Sequence, residues 1–157
     1  MTTNGRTIDD RLRKLGLELP GPFPPHDPLD AVVVHGGVAR TSGQLPRTAD
    51  GTVLTGVLGA DLEVEAGTAA ARWCALNALS VLRAELGSLD RIERLLSVTG
   101  YVASAPGFAG QPAVVDGASL LLVEVLGDAG RHTRSAIGVA ALPRGGAVEI
   151  EVVAALR

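Results

Sequence analysis

The order of patterned segments along this chain predicts an α+β fold, a sheet with two helices on one face. Two long stretches have helical character, from about Val64 to Leu86 and from Pro112 to Gly127. Strand-like runs surround them: two before the first helix, one between the helices and two after the second. The 157 residues suit one domain, and 46% apolar with 20% charged residues is a globular composition. We therefore read residues 1–157 as a single domain, with residues 1–28 as an N-terminal arm.

Each element has a local reason. In the arm, "IDDRLRKLGLELP" offers Asp9 or Asp10 as a helix cap and stops at Pro20. "PGPFPPHDP" is a proline-rich connector without regular structure. "DAVVVHGGVARTSGQL" places two β-branched runs around Gly36-Gly37, a type I′ or II′ hairpin signal. Asp50-Gly51 marks a second turn. In the long first helix, Glu65, Thr68, Arg72, Ser80 and Arg83 recur at helical spacing and mark a solvent stripe. Leu76 and Leu79 intrude on that stripe, so the helix is buried over much of its girth. Gly87 suits its C-terminal cap. A strand runs from about Ile92 to Ala103, and Pro112 and Gly127 bracket the second helix. The closing stretch, "RHTRSAIGVAALPRGGAVEIEV", reads as a hairpin around "PRGG".

That closing stretch is apolar on both parities, with Ile137, Val139 and Ala141 against Ala136, Gly138 and Ala140. Two helices cover one face of a sheet. The other face then calls for cover by further subunits.

Net charge is −3, from 14 basic and 17 acidic residues, which gives no electrostatic reason for nucleic acid or an anionic membrane as partner. One cysteine, Cys74, forms no internal disulfide, and with three histidines it makes no metal cluster. Cys74 lies mid-helix beside Trp73 and reads as a buried small hydrophobe. The N-terminal stretch is too polar for a signal peptide and no apolar run spans a bilayer, so a cytoplasmic protein is the default expectation.

Few residues stand out chemically. Alternation puts Arg134, Ala136, Gly138 and Ala140 on one face, a guanidinium beside a floor of small side chains. A planar guanidinium fits a carboxylate, but a strand-end arginine in solvent, or paired with Glu149 or Glu151, fits the pattern as well. Glu149 and Glu151 share a face, where a carboxylate could hold and polarise a water or simply be solvated. Ser42 and Gly43 end a strand, and the glycine lets a ligand approach the backbone or marks an ordinary bulge. Asp116 caps the second helix or faces a pocket. His26 and His35 are expected in solvent; His132, two residues before Arg134, could line the same cleft, but solvent is the expectation for it too.

Three stretches carry a family likeness: "TSGQLP" (41–46), "GYVASAPGF" (100–108), and "RSAIGVAALP" (134–143) followed by "VEIE" (148–151). Over about residues 14–157 the chain resembles the reactive-intermediate deaminase family, also called RidA/YjgF or L-PSP. The arm and the helix "QPAVVDGASLLLVEVLG" look like its longer-chain subgroup. The resemblance implies a chorismate-mutase-like α+β sheet assembled as a homotrimeric barrel, with sites in the clefts between subunits. It implies hydrolysis of 2-imino or enamino acids to 2-keto acids and ammonia, with no cofactor. By the same resemblance Arg134 grips the substrate carboxylate, Glu149 positions the attacking water, and the backbone at Ser42 and Gly43 helps hold the ligand. Three positions depart from the usual pattern: Leu29 replaces a tyrosine, Asp116 an asparagine, and Ala136 a cysteine. Two function classes follow, an imine deaminase or a non-catalytic trimer that binds small carboxylates. Ribonuclease activity, attached to some family names, gets little support from an acidic chain without a basic or aromatic strip.

Overall fold

The computed structural model describes residues 7–157, so the first six residues of the expected arm lie outside the described residues. The first helix, α1 (Ile8–Lys14), is capped by Thr7 rather than by Asp9 or Asp10. The Thr7 side chain accepts from the Asp10 N–H, and the Asp10 carboxylate accepts from the Thr7 N–H. An aspartate three residues into the helix thus completes a capping box rather than starting the helix.

The hairpin signal holds. β1 (Val32–His35) and β2 (Val38–Thr41) pair antiparallel around Gly36 and Gly37. Both glycines have positive φ, 59° and 74°, as a type I′ turn requires. Next comes α2 (Val64–Leu86), ended by Gly87 in the left-handed region. Ser80 departs from the expected solvent stripe: it is buried, and its hydroxyl donates to the Pro20 carbonyl. The proline-rich connector lies across α2 and supplies that acceptor, so tertiary packing overrides the amphipathic pattern here. Cys74 is fully buried among apolar neighbours, and burial pushes its thiol pKa up.

β3 (Ile92–Ala103), α3 (Gln111–Leu126) and β4 (Thr133–Val139) form a parallel strand–helix–strand unit, and β5 (Val148–Leu156) follows. Pro112 lies in the first turn of α3 and Gly127 ends it. The two long helices touch closely, because a Cβ at Gly117 would collide with the Thr68 carbonyl.

The sheet order is β1-β2-β5-β3-β4. The expected terminal hairpin is therefore absent, for β4 and β5 do not pair with each other. β4 takes one edge of β3 in parallel, and β5 takes the other edge antiparallel. The physical reason is the crossover. Helix α3 returns the chain to the same end of the sheet, which makes β4 parallel to β3. The segment around Pro143–Gly145 then carries the chain past β3, and β5 closes the gap to the β1–β2 hairpin.

The side chains of Leu95, Val98, Val102, Ile150, Val152 and Ala154 are buried on the sheet's helical side. On the opposite side Thr99, Tyr101, Glu149, Glu151 and Val153 are half-buried, and Val33 and Ile137 are exposed. Among the described residues no helix is long and apolar enough to cross a membrane.

Candidate functional site

The strand register decides where the two predicted chemical groups stand. Arg134 pairs with Val98 of β3, and Glu149 pairs with Tyr101. Val98 and Tyr101 are three apart in one strand, so they point to opposite faces. Arg134 therefore faces the helices, and Glu149 faces away from them. The open question of whether Glu149 shares the face of Arg134 resolves as no, within one chain.

Arg134 sits on the edge strand β4 and reaches toward α3. Its Nη1 donates to Asp116 Oδ1 at 2.7 Å and to Ser119 Oγ at 3.3 Å, and its Nη2 donates to the Pro112 carbonyl at 3.4 Å. The partner is thus Asp116, not Glu149 or Glu151. Asp116 lies beyond the first turn of α3, so it does not cap the helix. Spacing explains the arrangement, since Asp116 and Ser119 are three apart on one helical face. The ion pair is part-exposed, with the Arg134 side chain 22% and the Asp116 side chain 54% accessible. Ala136 pairs with Gly100 on the same side of the sheet and packs against the core.

His132 departs from the solvent expectation. It is half-buried, its Nε2 lies 2.9 Å from Ser119 Oγ, and its Nδ1 lies 2.6 Å from the Gly130 carbonyl. It lines one cleft with Asp116, Ser119 and Arg134. Ser119 went unnoticed in the sequence. The available signal was its place one helical turn after Asp116, on the face turned to Arg134.

The second cluster is built on the β2 end and β5. Ser42 donates from its hydroxyl to the Asp30 carbonyl at 2.6 Å and from its N–H to the Ala31 carbonyl at 2.8 Å. Gln44 and Ile150 exchange two backbone hydrogen bonds, at 2.8 and 3.0 Å. These bonds lay Gly43 against the Glu149 side chain. A Cβ at Gly43 would stand 2.5 Å from Glu149 Oε1, so the glycine makes room for the carboxylate. Ser42, Gly43, Glu149 and Leu29 line a cleft of about 550 Å³. Where a tyrosine hydroxyl was expected, the exposed Leu29 offers only an apolar edge.

The electrostatics of this cluster favour a protonatable carboxylate. Burial first, and the Glu151 charge second, hold the Glu149 pKa above its ordinary 4.5. Glu151 accepts from the Tyr101 hydroxyl at 3.0 Å. That bond, ahead of burial, raises the tyrosine's own pKa. A carboxylate so placed can aim a water and accept its proton.

With this geometry described, similarity to known proteins can be stated. Residues 9–156 match the family described as "YjgF/chorismate_mutase-like, putative endoribonuclease". Protein TCP17 of Trypanosoma cruzi is 44% identical over 157 residues, covering 99% of this chain and 98% of that protein. The crystal structure of Atu1372 from Agrobacterium tumefaciens is 38% identical with a TM-score of 0.88, over 96% of this chain and 94% of that one. A protein described as a "putative endoribonuclease", from Shewanella oneidensis, is 34% identical with a TM-score of 0.92, over 96% and 100% of the two chains. The Escherichia coli YjgF gene product shares the fold, with a TM-score of 0.62 at 24% identity over 88% and 98% of the chains.

Proposed function

Because the chain belongs to the YjgF/chorismate mutase-like family, we propose that it is a hydrolytic deaminase of reactive 2-imino or enamino acids, acting without a cofactor in the clefts of a cytoplasmic homotrimer. One observation carries the reading. The carboxylate-gripping group and the water-aiming group stand on opposite faces of one sheet, each bordering an open cleft. Neither half can both hold an imino acid and attack it. In a closed trimer the Arg134 half of one subunit faces the Glu149 half of its neighbour, and the half-apolar sheet face without helices becomes the barrel interior.

The chemistry follows from the two halves. The guanidinium of Arg134 holds the substrate carboxylate, leaving the C=N carbon exposed to a water beside Glu149. The water oxygen bonds to that carbon, the π pair moves to nitrogen, and Glu149 takes the water's proton. Glu149 hands that proton to the nitrogen, giving a neutral carbinolamine, and then relays the hydroxyl's proton to the same nitrogen as the C–N bond breaks. The hydroxyl collapses to a carbonyl, and 2-keto acid and ammonia leave.

A second reading, a trimer that binds small carboxylates without turning them over, draws on the 2.7 Å contact of Asp116 with Arg134. That contact neutralises the group which would grip an anion. Ribonuclease activity, suggested by the name of the Shewanella protein, fits poorly with a net charge of −3.

An ammonia-release assay on imino acids generated in situ separates the readings. Release above buffer, lost in Arg134→Lys, supports the deaminase. Binding of 2-ketobutyrate without release supports the second reading. Light scattering at low micromolar concentration should give three times the 16.0 kDa chain mass, and a stable monomer overturns both.

A further inference from the structure

The cleft beside Arg134 contains a second pattern of reactive groups. Ser119 Oγ, His132 Nε2, His132 Nδ1 and the Gly130 carbonyl form a continuous hydrogen-bonded row, with steps of 2.9 Å between the side chains and 2.6 Å to the carbonyl. Donor and acceptor chemistry assigns the protons. A carbonyl only accepts, so Nδ1 of the neutral imidazole carries the hydrogen and Nε2 is left as the base. Arg134 only donates, so Ser119 Oγ accepts its Nη1–H, at 3.3 Å, and turns its own proton to Nε2.

Local packing holds the row in place. Gly130 lies directly on α3, where a Cβ would collide with the Leu122 carbonyl. That close approach brings the Gly130 carbonyl under the imidazole of His132, which in turn meets Ser119 one helical turn past Asp116.

We propose that Ser119 and His132 form a nucleophile–base pair that transfers acyl groups from small activated esters. The arrangement contains the three parts such chemistry needs: a hydroxyl, a base within hydrogen-bond reach, and a third group that orients the base. The Arg134 Nη1–H that reaches Ser119 Oγ also sets a positive charge beside the point of attack, which favours the negative charge that develops on the substrate carbonyl oxygen. The cleft measures about 370 Å³ and is open to solvent, a size for a small acyl group. The pair is separate from the deaminase reading, which uses neither residue.

The steps balance. The Ser119 proton passes to His132 Nε2 as Oγ bonds to the ester carbon, and the carbonyl π pair becomes the oxyanion. That pair re-forms the carbonyl, the bond to the alkoxy oxygen breaks, and His132 returns the proton to the departing alcohol. Water then repeats the sequence on the acyl-serine, releasing the acid and restoring the hydroxyl. The charged groups around the imidazole are Asp116 on α3, Arg134 on β4 and the adjacent Arg131.

The test uses the intact protein with diisopropyl fluorophosphate, read by mass spectrometry, and with p-nitrophenyl acetate. The expected result is a single adduct on Ser119, absent in Ser119→Ala and formed at least about 100-fold more slowly in His132→Gln. Circular dichroism checks that both variants fold. Absence of an adduct, an adduct on another residue, or an unchanged rate in His132→Gln overturns the proposal. Ring-nitrogen NMR of the wild-type protein decides independently of any variant. A neutral Nδ1–H tautomer supports the pair, and an Nε2–H tautomer refutes it.

Discussion

Asp116→Asn isolates the electrostatic consequence of the ion pair beside the proposed substrate anchor. Asp116 and Ser119 occupy Nη1 of Arg134, while among the described residues its Nε has no hydrogen-bond partner. A ligand carboxylate can therefore approach the Nε side without displacing Asp116. It would then lie about 5 Å from the aspartate, across the width of the guanidinium. At that distance two negative charges repel by about 1 kcal/mol for an effective dielectric between those of a protein surface and water, given that Asp116 is 54% accessible. The asparagine keeps the shape and removes the charge, so 2-ketobutyrate should bind about fivefold more tightly. Calorimetric titration at low salt measures this. The gain should shrink toward nothing at about 1 M salt, where the screening length falls to about 3 Å. Binding that is unchanged or weaker in the variant would refute the reasoning. It would mean that Asp116 serves the ligand by holding Arg134 in place rather than opposing it by charge.

Glu149→Gln should abolish ammonia release while leaving 2-ketobutyrate binding nearly intact, measured by assay and titration side by side. The same substitution should raise Tm at neutral pH. Because the folded-state pKa of Glu149 is raised, the native protein binds this proton more readily than the unfolded chain, and the carboxylate costs stability above its folded pKa. The gain should disappear as pH falls below the ordinary 4.5, and a gain that grows on acidification contradicts the assignment. Gly43→Ala puts a Cβ 2.5 Å from Glu149 Oε1, the flexible end of that side chain, so the carboxylate should swing aside with little change in denaturant melts but with loss of turnover. Ser80→Ala leaves the Pro20 carbonyl without its donor on the buried side of the connector, and should destabilise by about 1–3 kcal/mol in calorimetry without altering ligand binding.

The candidate site was legible where residue identity alone carried the signal. Arg134, Glu149, Ser42 and Gly43 stand out because a guanidinium, a carboxylate and a glycine interrupt apolar strands. Their grouping was not legible. Arg134 and Glu149 are 15 positions apart, and only the register against β3 shows that they face opposite ways. The residue pattern left Asp116 as a helix cap or a pocket residue, because helical periodicity says nothing about which strand the helix crosses. His132 read as a solvent residue for the same reason. Its partners, Ser119 and the Gly130 carbonyl, meet it only after α3 docks on the sheet.

By itself the sequence determined the local elements of this protein. Two positive-φ glycines make the β1–β2 turn, Gly87 and Gly127 end the long helices, and β3 spans Ile92–Ala103 as its alternation indicates. Those features depend on backbone sterics and side-chain spacing within a few residues, which a linear reading contains. Tertiary structure decided the strand order, the burial of Ser80 and the pairing of Arg134 with Asp116. Each depends on a segment distant in the chain: β5 passing beyond β4 to reach the free edge of β3, the Pro20 carbonyl lying over α2, and α3 crossing to β4. Such contacts form because unpaired strand edges, buried hydroxyls and half-buried charges must all find partners, and the nearest partner in space is seldom the nearest in sequence.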